Sequence, residues 1–518
     1  MTAMVGPYRS EQPVGRDGFV QLLRAEFTKF HTVRAWMVAL CAAVAVFVLV
    51  SFLSAFESRS SNPSVPTGPG DEAVADTYMF VHQTLAGDGA LTARLVSLQG
   101  AQASPSPTSG SGFSRSSDAQ LGGSQLHPGL APWAKAGILV EADANQGTAY
   151  AAVSVTGSHG VQMQHNYTHD KPGLAGPVGP SSPRWLRLTR VGDTITGYDS
   201  ADGAHWTEIG TARPAALPHT VQIGLFVTSP DANDGTPSVA TADFDQVSTR
   251  GVLPHRSWTG GAVGQNAAYP TLASTWQQQG DSGFTISGSG DIAPLVGGQG
   301  AATHWSGASI VNGTILALLA VIVLATLFIT SEYRRGLIRT TFTASPRRGR
   351  ALIAKAVVAG SLAFTAGAIA TLIAEMITRH TFAANGNYLF PQSGPATARV
   401  IIGTGLFLGL AAALVVALGA MLRRSAEAVL AAIVFLMLPG IVATSFPASA
   451  AGNWLMRLTP PAAFAIQATL PHSNLVTAAY TPANGYFPIS PWAGLAVLAA
   501  YAAAALGAAT WLIRRRDT

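Results

Sequence analysis

The 518-residue chain is short of charge: only 11% of its residues are Asp, Glu, Lys or Arg, against roughly a quarter in an ordinary soluble domain. It has one cysteine, Cys41. No intramolecular disulfide can form, so any exterior domain is held by core packing alone. Lysine is nearly missing: the chain has only Lys29, Lys135, Lys171 and Lys355, and none follows a glycine. A phosphate-binding P-loop needs a glycine, then lysine, then Ser or Thr, because that lysine holds the β- and γ-phosphates. Nucleotide hydrolysis within this chain is therefore not expected, and the sequence offers no catalytic, cofactor-binding or metal-binding set.

What is present is apolar. Mean hydropathy is +0.29, and the net charge is +5. This balance points to a membrane protein whose basic charge lies at lipid surfaces, not to a nucleic-acid site. Six runs satisfy the requirement of about 20 apolar residues for a spanning helix: Ala35–Phe56, Ser309–Thr330, Ala356–Ile377, Val400–Met421, Ala428–Phe446 and Trp492–Ile513. The first has a longer apolar core than a signal peptide and no small-x-small cleavage site after it, so it reads as an uncleaved span. Pro439-Gly440 should kink or interrupt the fifth. Glu375, near the end of the third, is expected at the solvated outer interface, with a buried acidic relay as the alternative.

Basic residues set the orientation. Arg24, Lys29, Arg34, the Ser331–Lys355 segment, Arg423, Arg424 and Arg514–Arg516 fall on one side, whereas the opposite short loops hold only Arg379, Arg399 and Arg457. The positive-inside rule makes that side cytoplasmic, with both termini on it.

Residues 57–308 form a long exterior segment between the first two spans. It opens on "SRSSNPSVPTGPGD", a flexible tether, and carries a second low-complexity piece at Ser104–Gly112. The remainder consists of short β-branched or alternating runs separated by Gly, Asp, Asn and Pro, which suggests an all-β sandwich at about residues 78–295. In "RWLRLTRVGDTITGYDSADGAHW" the chain should reverse at Gly192-Asp193 and again at Ala201-Asp202-Gly203.

"WAKAGILV" (Trp133–Val140), "WLRLTRVGDTITGYDSADGAHWTEIG" (Trp185–Gly210), "IGLFVTS" (Ile223–Ser229), "ADFDQV" (Ala242–Val247) and "LAGDGALTARLVSLQ" (Leu85–Gln99) resemble the concanavalin A-like lectin/glucanase sandwich. "GFTISGSGDIAPL" (Gly283–Leu295) resembles the strand that usually begins such domains, yet here it comes last. A circular permutation would follow, with Phe284–Ile286 paired to the strand around Thr92–Val96 and both domain ends near the membrane. Glu141 and Asp143 lie on one side of a strand but lack the matched carboxylate that glycoside hydrolysis requires. Exposed rings and carboxylates can instead grip sugars, which makes Tyr198, Asp202 and Trp206 candidates for carbohydrate contact. The alternative is that Trp185 and Trp206 pack the core or the hairpin. Asn166-Tyr167-Thr168 fits a glycosylation acceptor.

The stretch "SEYRRGLIRTTFTASPRRGRALIAK" (Ser331–Lys355) carries seven basic side chains. At about 2.5–3.5 kcal/mol per central Arg or Lys, burying it in the bilayer would cost roughly 20 kcal/mol, so it is a connection and not a span. Residues 331–345 can form a short basic helix, with Ser345 and Pro346 opening the next one. This stretch, the amphipathic "LLRAEFTKFHTVRAWM" (Leu22–Met37) and "NWLMRLTPPAAFAIQATL" (Asn453–Leu470) resemble the permease subunits of ABC-2 type transporters of the actinobacterial kind. The resemblance implies an N-terminal elbow helix within residues 1–34, a first span at 35–56, spans two to six within 309–518, and a coupling helix that docks on a separate ATPase. Glu332, Tyr333, Arg334, Arg335 and Arg339 are the candidate ATPase-facing surface, while Arg347, Arg348 and Arg350 can serve topology and anionic lipid. It further implies a permease dimer in the cell membrane, ATP consumed by the partner subunit, and export of a substrate. Two other functions fit the same residues: an ATPase-driven mechanotransmitter, and a membrane-anchored carbohydrate-binding sensor.

Overall fold

The computed structural model describes residues 18–60, 65–103, 126–173, 175–176, 178–179, 182–215, 217–231, 237–264, 274–296, 306–334, 348–444, 450–469, 473–476, 480 and 486–516. Among them, six helices are long and apolar enough to cross a bilayer. A short helix α1 (Phe19–Thr32) is followed by α2 (Arg34–Phe56), and the other five are α3 (Ser306–Arg334), α4 (Arg348–Ala384), α5 (Gly394–Leu422), α6 (Ser425–Thr444) and α8 (Pro491–Arg516). Between α6 and α8 lie α7 (Ala450–Leu458) and a 3₁₀ segment, Pro460–Gln467. Val33 takes an extended conformation between α1 and α2. The elbow helix therefore ends at Thr32, and Arg34–Met37 already belong to the first span.

The helices bury their small faces against one another. Where α4 crosses α5, a Cβ on Gly409 would stand 2.8 Å from the Gly360 carbonyl oxygen, and one on Gly405 would stand 2.8 Å from the Phe364 carbonyl oxygen. Only glycine allows this backbone approach, the means by which helices associate in lipid. Outward-facing Val46, Leu49, Ile369, Leu372, Leu430 and Ile441 are exposed, as a lipid-facing surface requires. The 3₁₀ segment is itself buried in the bundle. Gln467 Nε2 donates to Thr314 Oγ1 at 2.7 Å on α3 and to Thr404 Oγ1 at 2.8 Å on α5. Pro439 lies inside α6 without interrupting it, and the lack of a side chain at Gly440 admits Pro461. Glu375 is buried, 3.6 Å from Arg379, and does not occupy the solvated helix end expected of it.

Between α2 and α3 in chain order stands an all-β unit. Its strands form two layers joined by Tyr78–Ala103, a 26-residue strand whose two halves pair in different layers. The first layer runs Thr259–Val263, Tyr78–Ala86, Thr220–Thr228, Lys135–Glu141, Tyr150–Thr156, Val161–His165 and His169–Pro172. The second runs Thr207–Ala212, Thr194–Ser200, Arg184–Val191, Gly89–Ala103, Ser238–Val252, Gly283–Gly288 and Thr275–Gln279. Alternate residues of both layers meet in one core: Val81, Ile138, Val140 and Val153 from the first, and Leu91, Leu95, Leu186, Ile195 and Phe284 from the second. Both expected hairpins are present, with Val191 opposite Thr194 and Asp199 opposite Thr207.

The permuted pairing is not. Phe284–Ile286 pairs with Phe244–Ala242 on one side and Gln278–Trp276 on the other, and the Thr92 region pairs with Ser248 and Arg187. The two ends of the unit nevertheless meet. Val74–Asp76 pairs antiparallel with Ile292–Pro294, so the chain leaves the bundle and returns to it through one two-stranded ladder.

Gly409→Val is expected to destabilise the bundle by about 1–3 kcal/mol through overpacking, read as a lower Tm in detergent. Gly507→Ala, whose added Cβ meets open space, should leave Tm unchanged or slightly higher.

Candidate coupling site and the sandwich carboxylates

Three helices converge at the basic end of the bundle: the middle of α1, the last turn of α3 and the second turn of α4. Lys355 is the one charged residue in the apolar stretch Ala351–Ala374, and its side chain is buried at 1% exposure. Its Nζ donates to Glu26 Oε2 of α1 at 2.6 Å and to Glu332 Oε1 of α3 at 2.5 Å. Glu26 and Glu332 are themselves 2% and 7% exposed. Lys29, half-exposed one turn after Glu26, donates to Glu26 Oε1 at 2.9 Å and Glu332 Oε1 at 3.3 Å. Burial lowers the Lys29 pKa, but Glu26 and Glu332 outweigh that effect and leave it raised. Two carboxylates and two ammonium groups thus make a neutral cluster.

Aromatic rings close it off. Phe328 lies one turn before Glu332, and Lys355 Nζ stands 5.3 Å from its ring centre. Phe30 and Trp36 contact the same ring edge-on at 5.8 and 6.1 Å. Glu26 and Phe30, four residues apart, share the buried face of α1. That spacing is why an otherwise amphipathic helix inserts one carboxylate and one ring between two spans.

The structure relocates the candidate ATPase-facing residues. Ser331–Arg334 continue α3 and do not begin a separate helix. Glu332 is therefore an internal residue of the cluster and not part of an exposed face. Tyr333 is half-buried, with the Arg423 guanidinium 5.4 Å from its ring. Arg334 ends α3; Arg335 and Arg339, like Ser345 and Pro346, lie outside the described residues. Sequence reasoning missed Glu26, Lys29 and Lys355 as a unit. The available signal was Lys355, an ionisable residue set between apolar Ala351–Ala354 and the run that begins at Ala356, rather than among the arginines.

In the β unit the candidate sugar contacts are largely engaged with their own hairpin. Trp206 Nε1 donates to the Gly203 carbonyl oxygen at 3.0 Å, and the Arg187 guanidinium covers its ring at 3.8 Å. Asp202 Oδ1 accepts from the Ala204 and His205 amides at 2.8 Å, and Oδ2 lies 2.7 Å from His205 Nδ1. The His205 contact leads in holding the Asp202 carboxyl well below its usual range. Tyr198 stands opposite Arg187 across the hairpin. Tyr198 and Trp206 are therefore brought together around Arg187, and Asp202 stabilises the turn. Gly203 takes φ +77° with Trp185 against it. Both tryptophans thus pack the hairpin. The Asn166 side chain accepts from the Tyr150 amide within a tight turn.

Glu141 faces away from the main core, buried with its carboxylate accepting from the Tyr78 hydroxyl. Asp143 is exposed in the next turn. Beside Glu141, Asp76 accepts from the Tyr167 hydroxyl and the Gly147 amide, both at 2.7 Å. Burial pushes Glu141 well above the carboxylate range and Asp76 up to about 7. Lys135 donates to Asp291 at 2.8 Å and to the Ile292 carbonyl oxygen at 2.6 Å. The Val74–Asp76/Ile292–Pro294 ladder therefore covers one face of the first sheet, and Glu141 beneath it is sealed.

Lys355→Met leaves two buried carboxylates short of a cation, a change that typically costs about 3–5 kcal/mol. It should lower Tm more than Lys29→Met at the half-exposed position. Asp76 has a folded pKa above its unfolded one, so it favours the folded state at low pH and loses that contribution as pH rises from about 4 to about 7. Asp76→Asn should therefore flatten the pH dependence of unit unfolding across that window by a few kcal/mol. An unchanged difference between pH 5 and 7.5 would refute this.

A family model described as "ABC-2 family transporter protein" matches residues 21–518. No curated protein matches the chain at a significant level. Among solved structures, the chain is similar to a functionally unknown protein from Saccharomyces cerevisiae, at 15% identity and TM-score 0.21, over 34% of this chain and 74% of that one. It is also similar to the GH43 protein BlXynB from Bacillus licheniformis, at 19% identity and TM-score 0.19, over 32% of this chain and 28% of that one. A third is scytalido-glutamic peptidase with a transition-state analogue inhibitor, at 10% identity and TM-score 0.26, over 42% of this chain and 98% of that one. Similarities of that size do not decide the ancestry of the β unit. The family model is another matter: it spans the elbow, all six apolar helices and the β unit, and the chain belongs to the ABC-2 family of transporter proteins.

Proposed function

We propose that this chain is the membrane permease of an ABC-2 exporter, driven by a separate ATPase that docks on the connection between α3 and α4. As a family member it is a multi-pass membrane protein with an ATPase partner. The observation that carries the finer reading is the clustering of basic residues. Arg34, Arg334, Arg423, Arg424 and Arg514–Arg516 mark one end of the helices, and the β unit is joined to the other. On the positive-inside rule the basic end is cytoplasmic and the β unit is extracellular.

Hydrolysis belongs to the partner, because no lysine here follows a glycine, and the permease works as a dimer. The actinobacterial type and a concanavalin A-like ancestry of the sandwich are supported by the sequence resemblances and the two-layer architecture. A cell-envelope glycan ligand at Tyr198, Asp202 and Trp206 has weaker support, because Asp202 and Trp206 are engaged within their own hairpin. A second reading is favoured by one set of contacts. Asn385 Nδ2 donates to Ser58 Oγ at 2.7 Å, and the Tyr388 hydroxyl donates to the Asp71 carbonyl oxygen at 2.9 Å, which fastens the β unit's tether to the bundle. A mechanotransmitter that moves the sandwich without moving cargo would use that fastening.

Reversing charge at Arg334, Arg335 and Arg339 together should abolish co-purification of the ATPase while membrane insertion persists. Undiminished co-purification would remove these residues from the docking surface. Transport by the pair in reconstituted vesicles separates the exporter from the mechanotransmitter.

A further inference from the structure

The elbow helix has two conceivable roles: a passive anchor at the membrane surface, or a part of the moving machinery. We infer that Glu26, Glu332 and Lys355 are positioning residues that bind α1 to both ends of the coupling connection, so that the three move as one body. The inference rests on the reading that an ATPase drives that connection.

Three observations carry it. First, Glu332 and Lys355 bracket residues 335–347, the stretch between α3 and α4, so any force on that stretch reaches both. Second, the third partner is Glu26 on a different helix, and Lys355 Nζ is shared between the two carboxylates at 2.6 and 2.5 Å. Moving α1 away would strip Glu26 of its buried cation and leave only half-exposed Lys29 on its other oxygen. Third, the Phe30, Phe328 and Trp36 rings pack beside the ion pairs, two of their contacts edge-on, and keep out the water that would stabilise an open form. A buried charge shared in this way tolerates few arrangements, whereas an anchor held by apolar contact alone would slide.

Cys41 is the sole cysteine, so Cys41→Ala gives a clean background for labelling. Spin labels at Phe27→Cys on α1 and Ile353→Cys on α4, both exposed, are placed in the full-length permease bound to its ATPase in lipid vesicles. With labelled chains diluted into an excess of unlabelled Cys41→Ala permease, the expected result is one within-protomer distance that does not change between the nucleotide-free and ATP-trapped states. In E26Q/E332Q/K355M, which removes the three buried charges and leaves only half-exposed Lys29 to be met by water, the distribution should broaden or shift with nucleotide. ATP hydrolysis should continue, and α4 should then move without carrying α1.

A wild-type distance that shifts on trapping overturns the inference, and this measurement stands whether or not the triple variant folds. A triple variant with wild-type distances and movement overturns it as well. A wild-type permease that binds no ATPase contradicts the driven-permease reading and the inference with it, whereas the other two results overturn the inference alone.

Discussion

The Lys355 ammonium, buried between a carboxylate from α1 and another from α3, constrains how the basic end of the bundle can be assembled. An apolar contact between helices is satisfied by many rotations and shifts, since lipid tails are as apolar as leucine and give no preference among them. A buried ion is satisfied only where its partners stand. The cluster therefore fixes the roll of α1, the depth of the last turn of α3 and the entry point of α4 together. In so charge-poor a chain this use of two of the four lysines matters more for uniqueness of arrangement than for net stability, because ion pairs and well-packed apolar side chains differ little in stability. The bend at Val33 then follows: α1 is held by its Glu26–Phe30 face while α2 departs along the bundle.

At the opposite end the constraint is topological. A domain inserted between two antiparallel helices must return its chain close to where it left. The Val74–Asp76/Ile292–Pro294 ladder satisfies this with backbone hydrogen bonds. The same ladder lies over the Tyr78, Tyr150 and Tyr167 face of the first sheet, where Glu141 and Asp76 are buried among tyrosine rings. Burial raises both above the usual carboxylate range, and Glu141, enclosed beneath the ladder, cannot reach a substrate. The closure that makes insertion possible is thus the feature that shuts the sheet face. Ala293 within the ladder and Val296 just beyond it pack on Val476 and Tyr480, in the connection before α8, so the ladder is also turned toward the helices.

Features set by local pattern were legible in sequence, and features set by the assembly were not. Uninterrupted apolar length declares a span whatever surrounds it, and all six spans were readable on that ground. Gly192-Asp193 and Asp202-Gly203 declare their turns through backbone conformation. Partner choice has no such local signature. Gly283–Gly288 reads clearly as a strand, but its alternation is the same beside Phe244 as beside Thr92, and only the packing of the second sheet selects Phe244. Glu332 shows the same limit with higher stakes. Within "SEYRRG" it resembles the arginines around it, and its inward direction appears only once Lys355 and Glu26 are known to stand opposite. Trp206 was legible as an aromatic at a hairpin and illegible as a ring already covered by Arg187.

One element reaches both constrained ends. α4 has 37 residues, which at 1.5 Å per residue gives a rod of about 55 Å, well beyond the roughly 30 Å hydrocarbon core. Lys355 lies in its second turn. Just past its far end, Asn385 and Asn387 both donate to Ser58, and Tyr388 donates to Asp71 on the β unit's tether. Along its length the Gly360 and Phe364 backbone lies directly against Gly409 and Gly405 of α5, and this close glycine packing resists bending of either helix. A rod stiffened in that way cannot absorb a displacement locally. Movement imposed beside Lys355 must either carry α5 along or appear at Asn385, where the sandwich is fastened, and in both cases the buried ion cluster and the β ladder are ends of one mechanical path.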